Sequence, residues 1–105
     1  MPKYLVQANY VGAGVTGLLK DGGSARRAAV EKAFASVGGK VDAFYFAFGE
    51  TDVFVLGDLP DNASAAALSL TVSASGAAAS KITVLLSAEE LDAAAKKTPS
   101  YRAPG

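Results

Sequence analysis

The stretch Lys40 to Asp58, KVDAFYFAFGETDVFVLGD, constrains this fold more than any other part of the chain. Two apolar runs flank Gly49-Glu50-Thr51. Their alternation predicts two strands, Lys40–Gly49 and Asp52–Asp58, joined as a β-hairpin. In the first, Phe44, Phe46 and Phe48 share one side, and Val41, Ala43, Tyr45 and Ala47 the other. The hairpin as a whole sets Phe44, Phe46, Phe48 and Phe54 against Tyr45, Val53 and Val55. A hairpin that is apolar on both faces has to be covered on both, which a single layer of helices does not achieve.

The flanking segments supply one such layer. Lys3 to Val11 reads as a strand. After it, a helix beginning near Gly14 is broken by Gly22-Gly23. Ser24 is placed to cap a stronger helix over Ala25–Val37, whose Val30, Ala33, Phe34 and Val37 fall on one face. Past the hairpin, Asp61 or Asn62 starts an alanine-rich helix over Ala63–Ser75. Its bulky apolar residues are Leu68, Leu70 and Val72, so close contact with the sheet is expected. Ser80–Leu86 reads as a fourth strand, with Ile82, Val84 and Leu86 opposite Leu85. Ser87-Ala88-Glu89-Glu90 is a capping box opening a last helix to about Lys97. The order is β-α-β-β-α-β with an extra C-terminal helix, an α+β, ferredoxin-like arrangement. Residues 1–98 are expected to form one domain and 99–105 an extended tail. Two helices cover one sheet face, and the other face is too apolar to stand in water. The expectation is a homodimer or larger homo-oligomer that packs sheet on sheet. The alternative is that a helix or the tail of the same chain folds back over that face.

Composition removes many activities. The 105 residues contain no Cys, His or Trp. Disulfides, thiolate nucleophiles and the usual zinc and transition-metal ligands are thereby excluded. Ten basic and ten acidic residues cancel, so no nucleic-acid or anionic-membrane partner is expected. No apolar run approaches the roughly 20 residues of a membrane span, and MPKYLVQ lacks a signal-peptide layout. The chain is read as cytoplasmic, without cofactor or metal. Glu89, Glu90 and Asp92 form an acidic cluster that suits a helix start.

Gly12-Ala13-Gly14-Val15-Thr16-Gly17 matches the spacing of the dinucleotide fingerprint, but its context does not. The fingerprint needs a long helix after the glycines and an acid at the end of the next strand. Here Gly22-Gly23 cut the helix short, the acid at that spacing is Glu31 in mid-helix, and the next two strands pair as a hairpin. A second candidate site is Ser24, Arg26 and Arg27 at the start of the main helix. Backbone amides and two guanidinium groups there suit a phosphate or a carboxylate. Cations at a helix N-terminus are unfavourable, so either these arginines are solvated or an anion compensates them.

The blocks MPKYLVQANY, GLLKDGGSARRAAVEKAFASVGGKVDAFYFAFGETDV, DLPDNASAAALSL and KITVLLSAEELDAAAKK, with the ending YRAPG, resemble small bacterial proteins of the GYD-domain family. In Gly49-Glu50-Thr51-Asp52, Thr51 stands where the family's tyrosine would be, so any site built on that ring is altered. The resemblance implies a fold of the dimeric α/β-barrel type, and it carries over no catalytic residue. In related folds a pocket lies between sheet and helices, and Gln7, Asn9, Tyr45 and Asp52 could line one. The other reading is that Gln7 and Asn9 bond neighbouring backbone and Asp52 caps the turn. Two functions follow as expectations: a small-molecule-binding or assembly module without catalysis, or a cofactor-free monooxygenase- or isomerase-like enzyme acting on a small metabolite.

Overall fold

A computed structural model describes residues 1–105. Its elements are β1 (Lys3–Tyr10), α1 (Ala13–Asp21), α2 (Gly23–Ser36), β2 (Lys40–Phe46), β3 (Val53–Asp58), α3 (Asn62–Ser75), β4 (Ala78–Leu85) and α4 (Ala88–Ala95). The strands form one antiparallel sheet in the order β2-β3-β1-β4. This α+β arrangement is compatible with a ferredoxin-like fold. No helix is long and apolar enough to cross a membrane.

Even-numbered residues of β1 face the helices. Tyr4 is buried there, and Val6, Ala8 and Tyr10 pack around it. Val6 pairs with Val55 on one side and Ile82 on the other, which carries the same face across three strands. Phe34 of α2, Leu59 and Ala65 of α3 complete the buried core. The Tyr4 hydroxyl donates to Asn62 Oδ1 at 2.6 Å, tying the central strand to the first turn of α3.

Several boundaries differ from the sequence reading, each for a local reason. The helix after the glycines is capped by Gly22 at φ 83°, with no side-chain cap. Ser24 therefore lies inside the first turn rather than before it. Strand β2 ends at Phe46, which leaves Phe48 fully exposed. A register shift between Val41 and Ala43 breaks the alternation in β2. Val41 consequently joins Phe44 against the core, and Ala43 and Tyr45 take the opposite face beside Leu56 and Phe54. Of the bulky residues of α3, Leu70 is 71% exposed, and Leu68 and Val72 turn inward.

One glycine of the apparent fingerprint, Gly14, has a packing explanation. A Cβ at Gly14 would lie 1.9 Å from the Ala77 carbonyl oxygen, so α1 approaches β4 closely only because that residue is glycine. The Val11 amide donates to the same carbonyl at 3.0 Å.

Asp61 is the N-cap of α3, and its carboxylate accepts from the Ser64 amide at 2.8 Å and from the Ser64 hydroxyl at 2.8 Å. The amide bond first and the hydroxyl second hold its pKa below the usual carboxylate value. A lowered folded-state pKa contributes stability above the unfolded value, and that contribution is lost as pH falls through the folded one. Urea midpoints are therefore expected to decline from about pH 5 downward. Asp61→Asn, which keeps an acceptor at the cap, is expected to flatten that decline while leaving the neutral-pH midpoint nearly unchanged. An identical acid limb in the variant would contradict this.

The opposite sheet face has no helix over it. It carries Leu5, Phe54 and Leu56 at its centre and Leu85 at the end of edge strand β4, all half-buried, with Tyr45 71% exposed at the other edge. At one end the Lys3 ammonium bonds Asp42 and sits 2.9 Å from Asp58. Asp42 first and Asp58 second raise the Lys3 pKa above the ordinary lysine value. Neither α4 nor the tail covers this face, for every residue from Leu86 to Gly105 is exposed. The α4 helix holds its own start through the full capping box, Ser87 Oγ accepting from the Glu90 amide and Glu90 Oε1 from the Ser87 amide.

Candidate functional site

Helix α2 packs on β2 at one side of the sheet, and α3 packs on β4 at the other. Between them, over β1 and β3, a cleft remains. It stays unfilled because the residues that face across it are small: Ala29 and Ala33 from α2, Ser69 and Val72 from α3. The inner chamber has a volume of about 90 Å³ and a floor of strand residues, among them Val6, Val55 and Ile82. It opens into a vestibule of about 390 Å³ under α1, where Leu18, Asp21, Thr71 and Ser75 contribute. Tyr10, Arg26, Ala33, Val72 and Ala78 line both spaces, so Arg26 stands where the more apolar chamber meets the vestibule.

Two polar atoms in this cleft are buried without a hydrogen-bond partner, Arg26 Nε and Ser80 Oγ. Burying an unpaired polar group costs about 1–3 kcal/mol, more beside a charge. The chain's ion pairs both belong to Lys3, so no carboxylate lies within 4 Å of the Arg26 guanidinium, and Asp21 shares the vestibule with it without pairing. Arg26 precedes Val30 by four residues and Ala33 by seven, which places it on the inward stripe of α2. Arg27 falls one position round the helix and is exposed, beside Glu31 and the edge strand β2.

The other residues singled out by sequence are placed as follows. Gln7 pairs across the sheet with Phe54 and Lys81, and therefore lies on the open face. Tyr45 lies on that face too, opposite Phe54. Asn9 and Asp52 clasp each other's strands: Asn9 Oδ1 accepts from the Asp52 amide at 2.9 Å, and Asp52 Oδ2 accepts from the Tyr10 amide at 3.0 Å. Asp52 also borders a shallow hollow with Tyr10, Leu18 and Phe46. Ser24 and Arg27 border another, with Phe44. The structure thus brings Asn9 together with Asp52 and sets Arg27 and Tyr45 around one hollow, and it separates Arg26 from Arg27 and both from Gln7. Thr51 is half-buried in the turn just before Asp52.

Sequence reasoning passed over Tyr10, Ser69 and Ser80. Ser80 alternates with Ala78 and Ile82 and so shares their face. That period-two pattern was readable once the inward parity of the fourth strand was known. No group of three or more Asp or Glu side chains is arranged to hold a metal ion.

The family model described as GYD domain matches residues 4–95. No curated protein and no solved structure matches the chain.

Proposed function

The chain belongs to the GYD domain family, and from that premise we propose that it is an oligomeric small-molecule-binding module of the dimeric α/β-barrel type, without catalysis. The cleft between α2 and α3 carries the reading. An apolar chamber with few polar groups on its wall is the composition of a ligand site, where burial supplies affinity and the polar groups supply orientation. The Asp52 carboxylate, which a catalytic reading would use as a base, is engaged by the Tyr10 amide instead. Assembly through the open sheet face is supported by its apolar residues Leu5, Phe54 and Leu56 at the centre and Leu85 at one edge. A second copy laid about 10 Å above it would cover those residues.

The binding reading is tested by ¹⁵N NMR under xenon pressure, since apolar cavities take up xenon. Saturable shifts at the amides of Ala8, Ala33 and Ile82 are expected. Ala33→Leu, which fills the chamber, is expected to abolish them without altering the sedimentation of the assembly. Wild-type protein that shows no shift at these amides has a closed interior, and the reading falls back to a module for assembly alone.

A further inference from the structure

We infer that the cleft binds a small branched-chain or short-chain monocarboxylate, its apolar end in the inner chamber and its carboxylate on Arg26 Nε and Ser80 Oγ. This rests on the binding reading above and adds the ligand's charge, size and orientation. Charge comes from Arg26. A guanidinium at the mouth of an apolar chamber, with a buried N–H unpartnered and no carboxylate in ion-pair reach, is half of a charge-assisted pair. Ser80 Oγ, buried and unpartnered in the same cleft, adds a neutral donor. A carboxylate accepts from both, whereas an ammonium or another cation would meet the guanidinium as a like charge.

Size comes from the chamber. About 90 Å³ is smaller than the roughly 150 Å³ cavity that holds benzene, and equals the liquid volume of about three waters. It admits an apolar group of a few carbons, and a larger group extends into the vestibule. Selection against a second negative charge comes from Asp21, which lines the vestibule that the outer end of a longer ligand would enter. A dicarboxylate would set its far charge facing that side chain across the vestibule, so monoanions are preferred.

The experiment titrates ¹⁵N-labelled protein with isobutyrate, its neutral isostere isobutyramide, and succinate. Shifts at Arg26 Nε–H and at the amides of Ser80 and Ile82 report binding. Isobutyrate is expected to bind about tenfold more tightly than isobutyramide, because only the acid brings a negative charge to the guanidinium, and succinate more weakly than isobutyrate. Arg26→Gln, which keeps most of the stem, is expected to erase the preference of acid over amide, and Ser80→Ala to reduce it. Equal affinity for acid and amide, acid binding that survives Arg26→Gln, or no isobutyrate binding would overturn the inference. Xenon uptake in the same sample separates these failures from that of the binding reading: uptake without acid preference leaves a cleft of different ligand chemistry, and no uptake removes the cleft itself.

Discussion

Phe34→Ala is expected to destabilise the protein by about 3–5 kcal/mol. The ring is 3% exposed and is one of only seven buried residues among 105. A core that small has little else to compensate. The ring also fills the space above Gly57, where a Cβ would come within 2.8 Å of Phe34 Cε2. Removing the ring therefore opens a void over bare backbone of β3, and neighbouring side chains cannot close it from that strand. With total stabilities of small domains at about 5–15 kcal/mol, this is a large share. Urea unfolding followed by circular dichroism at fixed protein concentration checks it, since any assembly links stability to concentration. A loss below about 1 kcal/mol would mean that the ring is not packed as described.

Leu56→Asp is expected to break the assembly while leaving the fold intact. Leu56 stands at the centre of the open face, in register with Leu5 on one side and Ala43 on the other. In an isolated chain an aspartate there faces water. In a two-fold sheet-to-sheet dimer the same aspartate is buried without a counter-ion, and its twin lies across the axis. Association is expected to weaken by about a thousandfold. Sedimentation velocity is expected to show wild-type protein at twice the 10.6 kDa chain mass or more, and the variant at the chain mass, with the same far-ultraviolet circular dichroism. Wild-type protein that sediments as a monomer at micromolar concentration would end the proposal of assembly through this face.

The two variants probe opposite faces of one sheet, and assigning residues to those faces is where the sequence alone stopped. Odd and even positions of β1 are both partly apolar: Tyr4 and Val6 alternate with Leu5. Periodicity says that Gln7 and Asn9 travel with Leu5, and this holds in the sheet. It does not say which set lies under the helices. The helices take the even set, so Tyr10 enters the cleft and Gln7 faces the other way. A shift of one residue reverses every such assignment, and β2 contains one: the irregularity between Val41 and Ala43 puts Val41 on the core side with Phe44.

Helices were more legible because their period is less ambiguous. The stripe of Val30, Ala33, Phe34 and Val37 was readable, and Arg26 extends it one turn toward the N-terminus. The same spacing separates Arg26 from Arg27 without any coordinates. What obscured it was that two adjacent arginines after a glycine pair read as one surface patch, although both ranges of the helix contain them.

By itself, the sequence determined the number and order of strands, the two main helices, the capping box of the last helix, and the absence of Cys- and His-based chemistry. These are local properties, set by side-chain period, by glycine and proline, and by which residue types are present. The tertiary structure decided which strand face meets the helices, that α4 leaves the other face open, and that α2 and α3 stand apart over β1 and β3. It also decided that Arg26 Nε and Ser80 Oγ, 54 positions apart in the chain, are left unpartnered in one cleft. Such encounters depend on the distance between two helices over the sheet and on the space that side chains such as Ala29, Ala33, Ser69 and Val72 leave unfilled between them. That distance is a property of packing between elements, and no window along the chain contains it.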